Sequence, residues 1–180
     1  PIDKTENSWT KHICSLLHSR GIHRGTPTMA NIIDSEVFQA FSTYATIVIL
    51  KMMFMSVLTA YFRITRKAFA NPEDTHMGKT PEEKKRMLQV NEDVERVRRC
   101  HLNDLENIIP FVMIGLLYTL TGPALSTALL HFRLFVGSRF LHTIAYVNTM
   151  RQPIRGLSWM VGMGTTLSMA YCILTTVMRL

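Results

Sequence analysis

One segment of the chain, residues 94–111, begins as a densely charged helical pattern and runs without a break into an apolar stretch. Within it, Arg99, Asn103 and Glu106 follow one another at i, i+4 and i+7, which places them on one face of a helix. A charged residue at the centre of a bilayer costs about 2.5 to 3.5 kcal/mol on insertion scales, so this face should meet partners or a ligand rather than lipid. The pattern predicts a binding site at the end of a membrane-spanning helix.

A second polar stripe lies on a later apolar segment, where Arg139, His142, Thr143 and Tyr146 follow at i, i+3, i+4 and i+7. Several arginines beside Glu106, interpreted as the single carboxylate within the membrane, suit a ligand with more than one carboxylate and one ammonium group. A small acidic peptide fits this description.

Structural roles are the alternative for the same residues. Arg99 or Arg139 could pair with Glu106 between spans, and Arg63 could be an interfacial anchor that snorkels to the head groups. Each residue taken alone fits either role equally, but their convergence favours a functional site. No metal site is predicted, because His131 and His142 are separated by eleven positions and no third ligand stands at a fitting spacing.

Long apolar runs must position these side chains. The chain has 180 residues, of which 47% are hydrophobic; residues 157–178 contain no charge, and residues 37–62 contain only Lys51. Each run is long enough to cross a hydrocarbon core of about 30 Å as a helix. Two further apolar segments also contain charged residues. Together the four segments predict spans at about 36–62, 96–121, 124–149 and 155–178. The fold class predicted is all-α, an integral membrane up-down four-helix bundle. The alternative is two spans plus soluble core helices, but the connectors would leave no room for a separate globular core.

The distribution of positive charge indicates the orientation. The net charge is +7, but the basic residues lie at the ends of apolar segments rather than on one soluble face, which argues against nucleic-acid binding. The connector at about 63–95 is rich in Lys and Arg, whereas residues 121–126 carry no charge, so the first connector should be cytosolic. Arg63 and Arg155 then lie at the cytosolic ends of their spans, and the site should face the cytosol.

Residues 1–34 are polar, and their brief apolar patch is too short for a signal sequence. We expect a disordered extension there, followed by a membrane domain at 35–180 whose first helix is capped by Asp34 or Ser35. The three cysteines, Cys14, Cys100 and Cys172, form no CxxC pair, so neither a disulfide framework nor a zinc site is predicted.

The chain resembles the membrane-associated proteins in eicosanoid and glutathione metabolism, the MAPEG family. The likeness runs in register from residue 36 to 171 and rests on four stretches: FRITRKAFANPED (62–74), VERVRRCHLNDLENIIPF (94–111), HFRLFVGSRFLHTIAY (131–146) and LSMAY (167–171). The resemblance implies a homotrimer in the endoplasmic reticulum membrane and the mitochondrial outer membrane. It also implies that glutathione binds between neighbouring subunits, near the cytosolic face.

The resemblance further implies the site residues and the activity. Glutathione contacts are implied at Arg63, Arg98, Arg99, His101, Asn103, Glu106, Arg139 and Tyr146, with Arg155 beside the thiol as the catalytic residue. The implied enzyme is a membrane-bound transferase that uses glutathione as co-substrate, conjugates it to hydrophobic electrophiles and reduces lipid hydroperoxides. Two alternatives stay open: a non-catalytic scaffold or lipid-binding member, and a prostaglandin E synthase-like isomerase, from whose branch Leu102 and Gly156 depart.

Overall fold

The computed structural model describes residues 33–178, and the regular structure within that range is helical throughout. It consists of α1 (Glu36–Arg66), a 3-10 turn (Pro72–Thr75), α2 (Pro81–Met87), α3 (Glu92–Leu120), α4 (Leu125–Val147) and α5 (Gln152–Val177). The four long helices confirm the four expected helical segments, although α1 runs on to Arg66 and α3 already begins at Glu92. The predicted extension, residues 1–34, lies almost wholly outside the described residues.

Both ends of α1 are set by local chemistry. The backbone N–H of Phe38 donates to the Ser35 hydroxyl at 3.2 Å, so Ser35, one of the two predicted candidates, is the N-cap. At the other end Lys67 adopts a left-handed conformation, with φ of 49°. Its N–H donates to the Ile64 carbonyl, and the Ala68 N–H donates to the Arg63 carbonyl at 3.0 Å, which is the hydrogen-bond pattern of a Schellman ending.

The helices pack so that α3 and α4 each contact all three other long helices. On α1 the buried positions are Phe41, Ala45, Val48, Lys51 and Met55, which recur with helical spacing as one stripe. A lysine therefore lies within an otherwise apolar stripe.

Aromatic rings fill the half of the bundle nearer the turn between α3 and α4. Phe111 and Phe135 stack with ring centroids 3.7 Å apart, and Phe132 meets Phe111 edge-on at 6.4 Å. Phe41 packs over Gly115 so closely that a Cβ there would lie 2.5 Å from its ring. The absence of a side chain at Gly115 therefore allows α1 to approach α3 closely.

The connector between α1 and α3 contains a 3-10 turn and the short helix α2. Thr80 caps α2 by accepting from the Glu83 N–H at 3.2 Å, and Pro81 occupies the first turn. The Phe69 N–H donates to the Met87 carbonyl at 2.8 Å and ties α2 to the segment after α1. The connector is therefore a small folded layer over one end of the bundle.

Among the described residues, α1 and α5 are long and apolar enough to cross a membrane. Charged side chains interrupt the other two long helices: Asp104 and Glu106 in α3, and Arg133 and Arg139 in α4. The helix α3 continues through Pro110.

Candidate functional site

A buried carboxylate joins three helices at the centre of the polar half of the bundle. Asp104 of α3 is wholly buried, accepts from Arg139 of α4 at 2.8 Å (Nη2 to Oδ1), and also accepts from Lys51 of α1. The prediction that Glu106 is the single carboxylate at this level is wrong, because Asp104 precedes it by two positions on the same helix; Glu106 itself is exposed on the protomer surface. We call Lys51, Asp104 and Arg139 the ion cluster.

The ion cluster was missed in the sequence although a signal for it was present. On α3 the buried positions include Val97, Cys100, Asp104, Ile108 and Phe111, which recur at intervals of three and four. Asp104 thus lies on the core face, whereas Arg99 and Glu106 lie on another. A charge within a core stripe requires a partner on a neighbouring helix.

Arg139 also fixes the orientation of two neighbouring side chains. Its Nη2 donates to Asn103 Oδ1 at 2.8 Å and contacts His142 Nδ1 at 3.3 Å. Because a guanidinium only donates, His142 Nδ1 must accept, and the ring carries its proton on Nε2. Asn103 Nδ2 and His142 Nε2 have no hydrogen-bond acceptor within residues 33–178. Neither atom is among the buried, unpartnered side-chain atoms of that range, so both are accessible. Two N–H donors therefore remain available to a ligand.

Beside these donors lies a cavity of about 330 Å³ between α3, α4 and α5, which we call the Arg155 cavity. Its lining consists of Asn103, His142, Tyr146, Gln152, Arg155, Gly156 and Trp159. The guanidinium carbon of Arg155 lies 5.0 Å from the centroid of the Tyr146 ring, and Arg155 Nη2 donates to Gln152 Oε1 at 3.0 Å. Arg155 Nε is buried without a hydrogen-bond partner in the described part of the chain.

Three of the residues predicted from the sequence, Asn103, Tyr146 and Arg155, therefore meet in one cavity. Arg63 and Arg98 line a different cavity of about 330 Å³ beneath the connector. There Arg98 Nη2 lies 3.1 Å from Glu95 Oε2, so this arginine is held by its own helix.

The remaining predicted residues are divided between the core and the surface. Arg139 is wholly buried in the ion cluster, His101 is half-buried, and Arg99 is exposed and pairs with Glu92 at 3.7 Å. Neither proposed pairing with Glu106 forms, and Glu106 makes no ion pair with any residue in the range 33–178. A single protomer thus does not gather all nine predicted residues in one place.

The Arg155 cavity is suited to an anionic group on a small ligand. Its wall offers the Asn103 amide, the protonated Nε2 of His142 and the Arg155 guanidinium, all of which donate. Donors fixed by neighbouring groups and partly shielded from water hold an anion more strongly than solvated donors do. A carboxylate or a thiolate is the kind of group that this wall would stabilise.

Comparison with known proteins agrees with this chemistry. The model of the MAPEG family matches residues 41–175. The chain is 60% identical over 146 residues to microsomal glutathione S-transferase 1 of Sus scrofa and to that of Homo sapiens, covering 81% of this chain and 94% of each relative. It is 35% identical over 148 residues to prostaglandin E synthase of Homo sapiens, covering 82% of this chain and 95% of that relative. On the residues matched, the chain belongs to the MAPEG family.

Proposed function

We propose that this protein is a membrane-bound glutathione transferase that uses glutathione as co-substrate and conjugates it to hydrophobic electrophiles. The observation that carries the proposal is the Arg155 cavity, where donors from three helices surround a space fit for a thiolate. The identity to the two transferases supports it, and it exceeds the identity to prostaglandin E synthase, 60% against 35%.

Arg155 is the proposed catalytic residue because it stabilises the glutathione sulfur in its ionised form. A free thiol has a reference pKa near 8.5, and lowering that pKa by about two units takes about 2.7 kcal/mol of preferential stabilisation of the thiolate. A guanidinium shielded by the Tyr146 ring and by burial of its Nε interacts more strongly with an anion than one in water. The thiol proton passes to solvent, the thiolate forms a carbon–sulfur bond, and the leaving group departs with its electron pair.

The same thiolate reduces a lipid hydroperoxide. It attacks the outer oxygen of the O–O bond, which releases the lipid alcohol and leaves glutathione sulfenic acid. A second glutathione then displaces water from the sulfenic acid to give the disulfide. One hydroperoxide therefore consumes two glutathione molecules and yields one alcohol, one water and one glutathione disulfide.

The rest of glutathione presents two carboxylates and one ammonium group, which the remaining proposed contacts suit. These contacts are Arg63, Arg98, Arg99, His101, Asn103, Glu106, Arg139 and Tyr146. Arginines pair with carboxylates through a planar fork, and Glu106 can accept from the ammonium. Arg139 acts indirectly: it is buried, and it orients Asn103 and His142.

The proposed contacts lie in separate places on one subunit, which supports a homotrimer with glutathione between subunits. Arg98, Arg99 and Glu106 lie on exposed positions of α3, outside the Arg155 cavity. A ligand that touches the outer face of α3 in one subunit and the Arg155 cavity of the next would use both sets. Closed cyclic symmetry repeats such a heterologous contact three times.

A membrane environment is proposed on the apolar surface of α1. Leu50, Phe54 and Val57 are each more than half exposed, and a soluble monomer rarely leaves such a surface open. The basic connector favours a cytosolic site by the positive-inside rule. The endoplasmic reticulum and the mitochondrial outer membrane are the proposed locations, and hydrophobic electrophiles and lipid hydroperoxides would reach the site from the lipid.

The test is conjugation of glutathione to a small halogenated aromatic compound by the reconstituted protein. Arg155→Gln should lower kcat/KM by about 100-fold or more, the loss typical for a donor to the reacting anion. The matched control is Arg151→Gln, which removes an exposed arginine one helical turn away, outside the cavity lining. Equal activity in both variants would remove Arg155 from the mechanism. No conjugation by the parent protein would favour the scaffold, and turnover of a lipid endoperoxide alone would favour the isomerase.

Mixed oligomers test the arrangement between subunits. Arg99→Ala and Arg155→Ala should each be inactive alone. Co-expressed at equal levels, they should recover roughly a quarter of parent activity, since that share of random neighbour pairs combines an intact Arg99 with an intact Arg155. No recovery would place the complete site within one subunit.

A further inference from the structure

A further cavity lies where the connector meets the end of α1, next to the cavity lined by Arg63 and Arg98, with which it shares Ala68 and residues 89–91. This connector cavity has a volume of about 680 Å³ and shares no lining residue with the Arg155 cavity. Its charged lining consists of four cations and one carboxylate: Arg66, Lys67, Lys79, Arg86 and Glu83. Neighbouring cations around one space attract an anion.

The positive charge of this lining is largely uncompensated. Within residues 33–178, Lys67, Lys79 and Arg86 form no ion pair, whereas Arg66 pairs with Asp93 at 3.0 Å. The Glu83 carboxylate accepts from the backbone N–H of Lys79 at 2.7 Å, so it is engaged at the start of α2. Three cations therefore remain without a carboxylate of their own.

The backbone at Lys67 supplies an independent indication. Its φ of 49° lies in the left-handed region, where glycine is the residue with the least strain. A lysine occupies this helix-ending position at a conformational cost that glycine would avoid. Strained non-glycine positions are concentrated where a side chain has a role, and here the side chain lines the connector cavity.

Apolar side chains accompany the cations. Met77, Met87 and Val90 line the same space, and Val90 is 80% exposed. The cavity adjoins the end of α1, one of the two helices apolar enough to span a bilayer. A ligand for this place would carry a phosphate and also an apolar part.

We propose that the connector cavity binds the phosphate-bearing headgroup of an anionic phospholipid in the leaflet beside the connector. Free inorganic phosphate shares the charge chemistry, but Met77 and Val90 would gain nothing from it, whereas they can contact the first part of an acyl chain. Basic residues next to a spanning helix recognise anionic lipid in this way. The headgroup thereby links the folded connector to the membrane surface.

The test measures binding of dioctanoyl phosphatidylinositol to the purified full chain in nonionic detergent, with dioctanoyl phosphatidylcholine and inorganic phosphate as the other ligands. The variant is Lys79→Gln with Arg86→Gln. The matched control is Lys84→Gln with Lys85→Gln, which removes the same charge from the same segment outside the cavity lining. The cavity variant should weaken binding of the anionic lipid about tenfold or more, and the control less than about twofold.

Three results would overturn the proposal. Equal losses in the two variants would show attraction by overall charge rather than by the cavity. Equal affinity for phosphatidylcholine would remove the anionic preference, and displacement by inorganic phosphate at the same concentration would identify a free-ion site. A charge-retaining variant, Lys79→Arg with Arg86→Lys, guards against misfolding and should bind within about twofold of the parent.

Discussion

The two halves of the helical bundle are held together by opposite chemistry. Near the turn between α3 and α4, the rings of Phe41, Phe111 and Phe132 fill the space among α1, α3 and α4. In the half that leads to the connector, the same three helices meet through Lys51, Asp104 and Arg139. The aromatic half gains free energy from burial, whereas the ion cluster must first overcome the desolvation of three charges.

The difference indicates what each half is for. Apolar residues of similar volume would hold the helices as well as the ion cluster does, so stability alone gives no reason for charges there. The ion cluster does, however, orient Asn103 and His142 at the wall of the Arg155 cavity. The aromatic half thus carries stability, and the polar half positions the site.

The largest effect is expected from breaking the ion cluster at its centre. Asp104→Leu leaves Lys51 and Arg139 buried without their carboxylate, which should cost about 3 to 5 kcal/mol of unfolding free energy. Glu106→Gln, an exposed acid on the same helix, should change stability by less than about 0.5 kcal/mol. Unfolding of both variants in denaturant with circular dichroism provides the measurement. Equal stability of the two would contradict the assigned role of Asp104.

A comparable loss is expected in the aromatic half, without a functional consequence. Phe132→Ala removes a wholly buried ring and should cost about 3 to 4 kcal/mol. At a temperature where the variant is folded, its dissociation constant for glutathione should stay within about twofold of the parent, because the ring lies far from the Arg155 cavity. Isothermal titration calorimetry after a melting curve separates the two quantities. Loss of affinity in the folded variant would break the division between the halves.

Replacing the whole ion cluster should separate stability from positioning. The triple variant Lys51→Met, Asp104→Leu and Arg139→Met removes every member of the cluster, so no lone charge remains buried. Its unfolding free energy should lie within about 2 kcal/mol of the parent and above that of Asp104→Leu. Its affinity for glutathione should still fall about tenfold, since Asn103 and His142 lose the donor that orients them. Full affinity in the stable triple variant would show that the ion cluster does not position the site.

A smaller effect tests the close approach of α1 to α3. Gly115→Ala places a Cβ 2.5 Å from the Phe41 ring and should cost about 1 to 3 kcal/mol through forced repacking. Gly164→Ala is the matched control, because no atom lies within 4 Å of a Cβ there. It should stabilise its helix by about 0.5 to 1 kcal/mol. Thermal melting of the two variants should move in opposite directions, and a shift in the same direction would contradict the packing described here.

The helices were predictable from the sequence because their signals are local. Apolar runs predicted the long segments, and the cap of α1 was narrowed to Asp34 or Ser35 by their position before the helix. The helix α2 was not predicted, although Thr80 and Glu83 stand at the spacing of a capping box and Pro81 at a first helical position. In a polar connector the same residue types also mark turns, so they do not by themselves distinguish a two-turn helix from a loop.

The ion cluster was harder to predict because its members come from three helices. Lys51 was visible as the one charge in its apolar run, but nothing in the spacing along α1 identifies Asp104 as its partner. Helical spacing indicated Asn103 and Tyr146, the topology indicated Arg155, and the family resemblance implied a role for all three. The structure brings these three together. The remaining predicted residues lie in the core, on the surface or in the cavity beneath the connector, and spacing along single helices does not reveal that division.

The central claim, that the Arg155 cavity holds glutathione with its sulfur ionised, is tested most directly by titrating glutathione into the purified protein and recording the ultraviolet absorbance of the thiolate. The parent and Arg151→Gln should show a thiolate signal that saturates with glutathione. Arg155→Gln should lose about nine tenths of it or more at neutral pH, because the thiol pKa should rise by about two units. A full signal in Arg155→Gln, or none in the parent, would contradict the account.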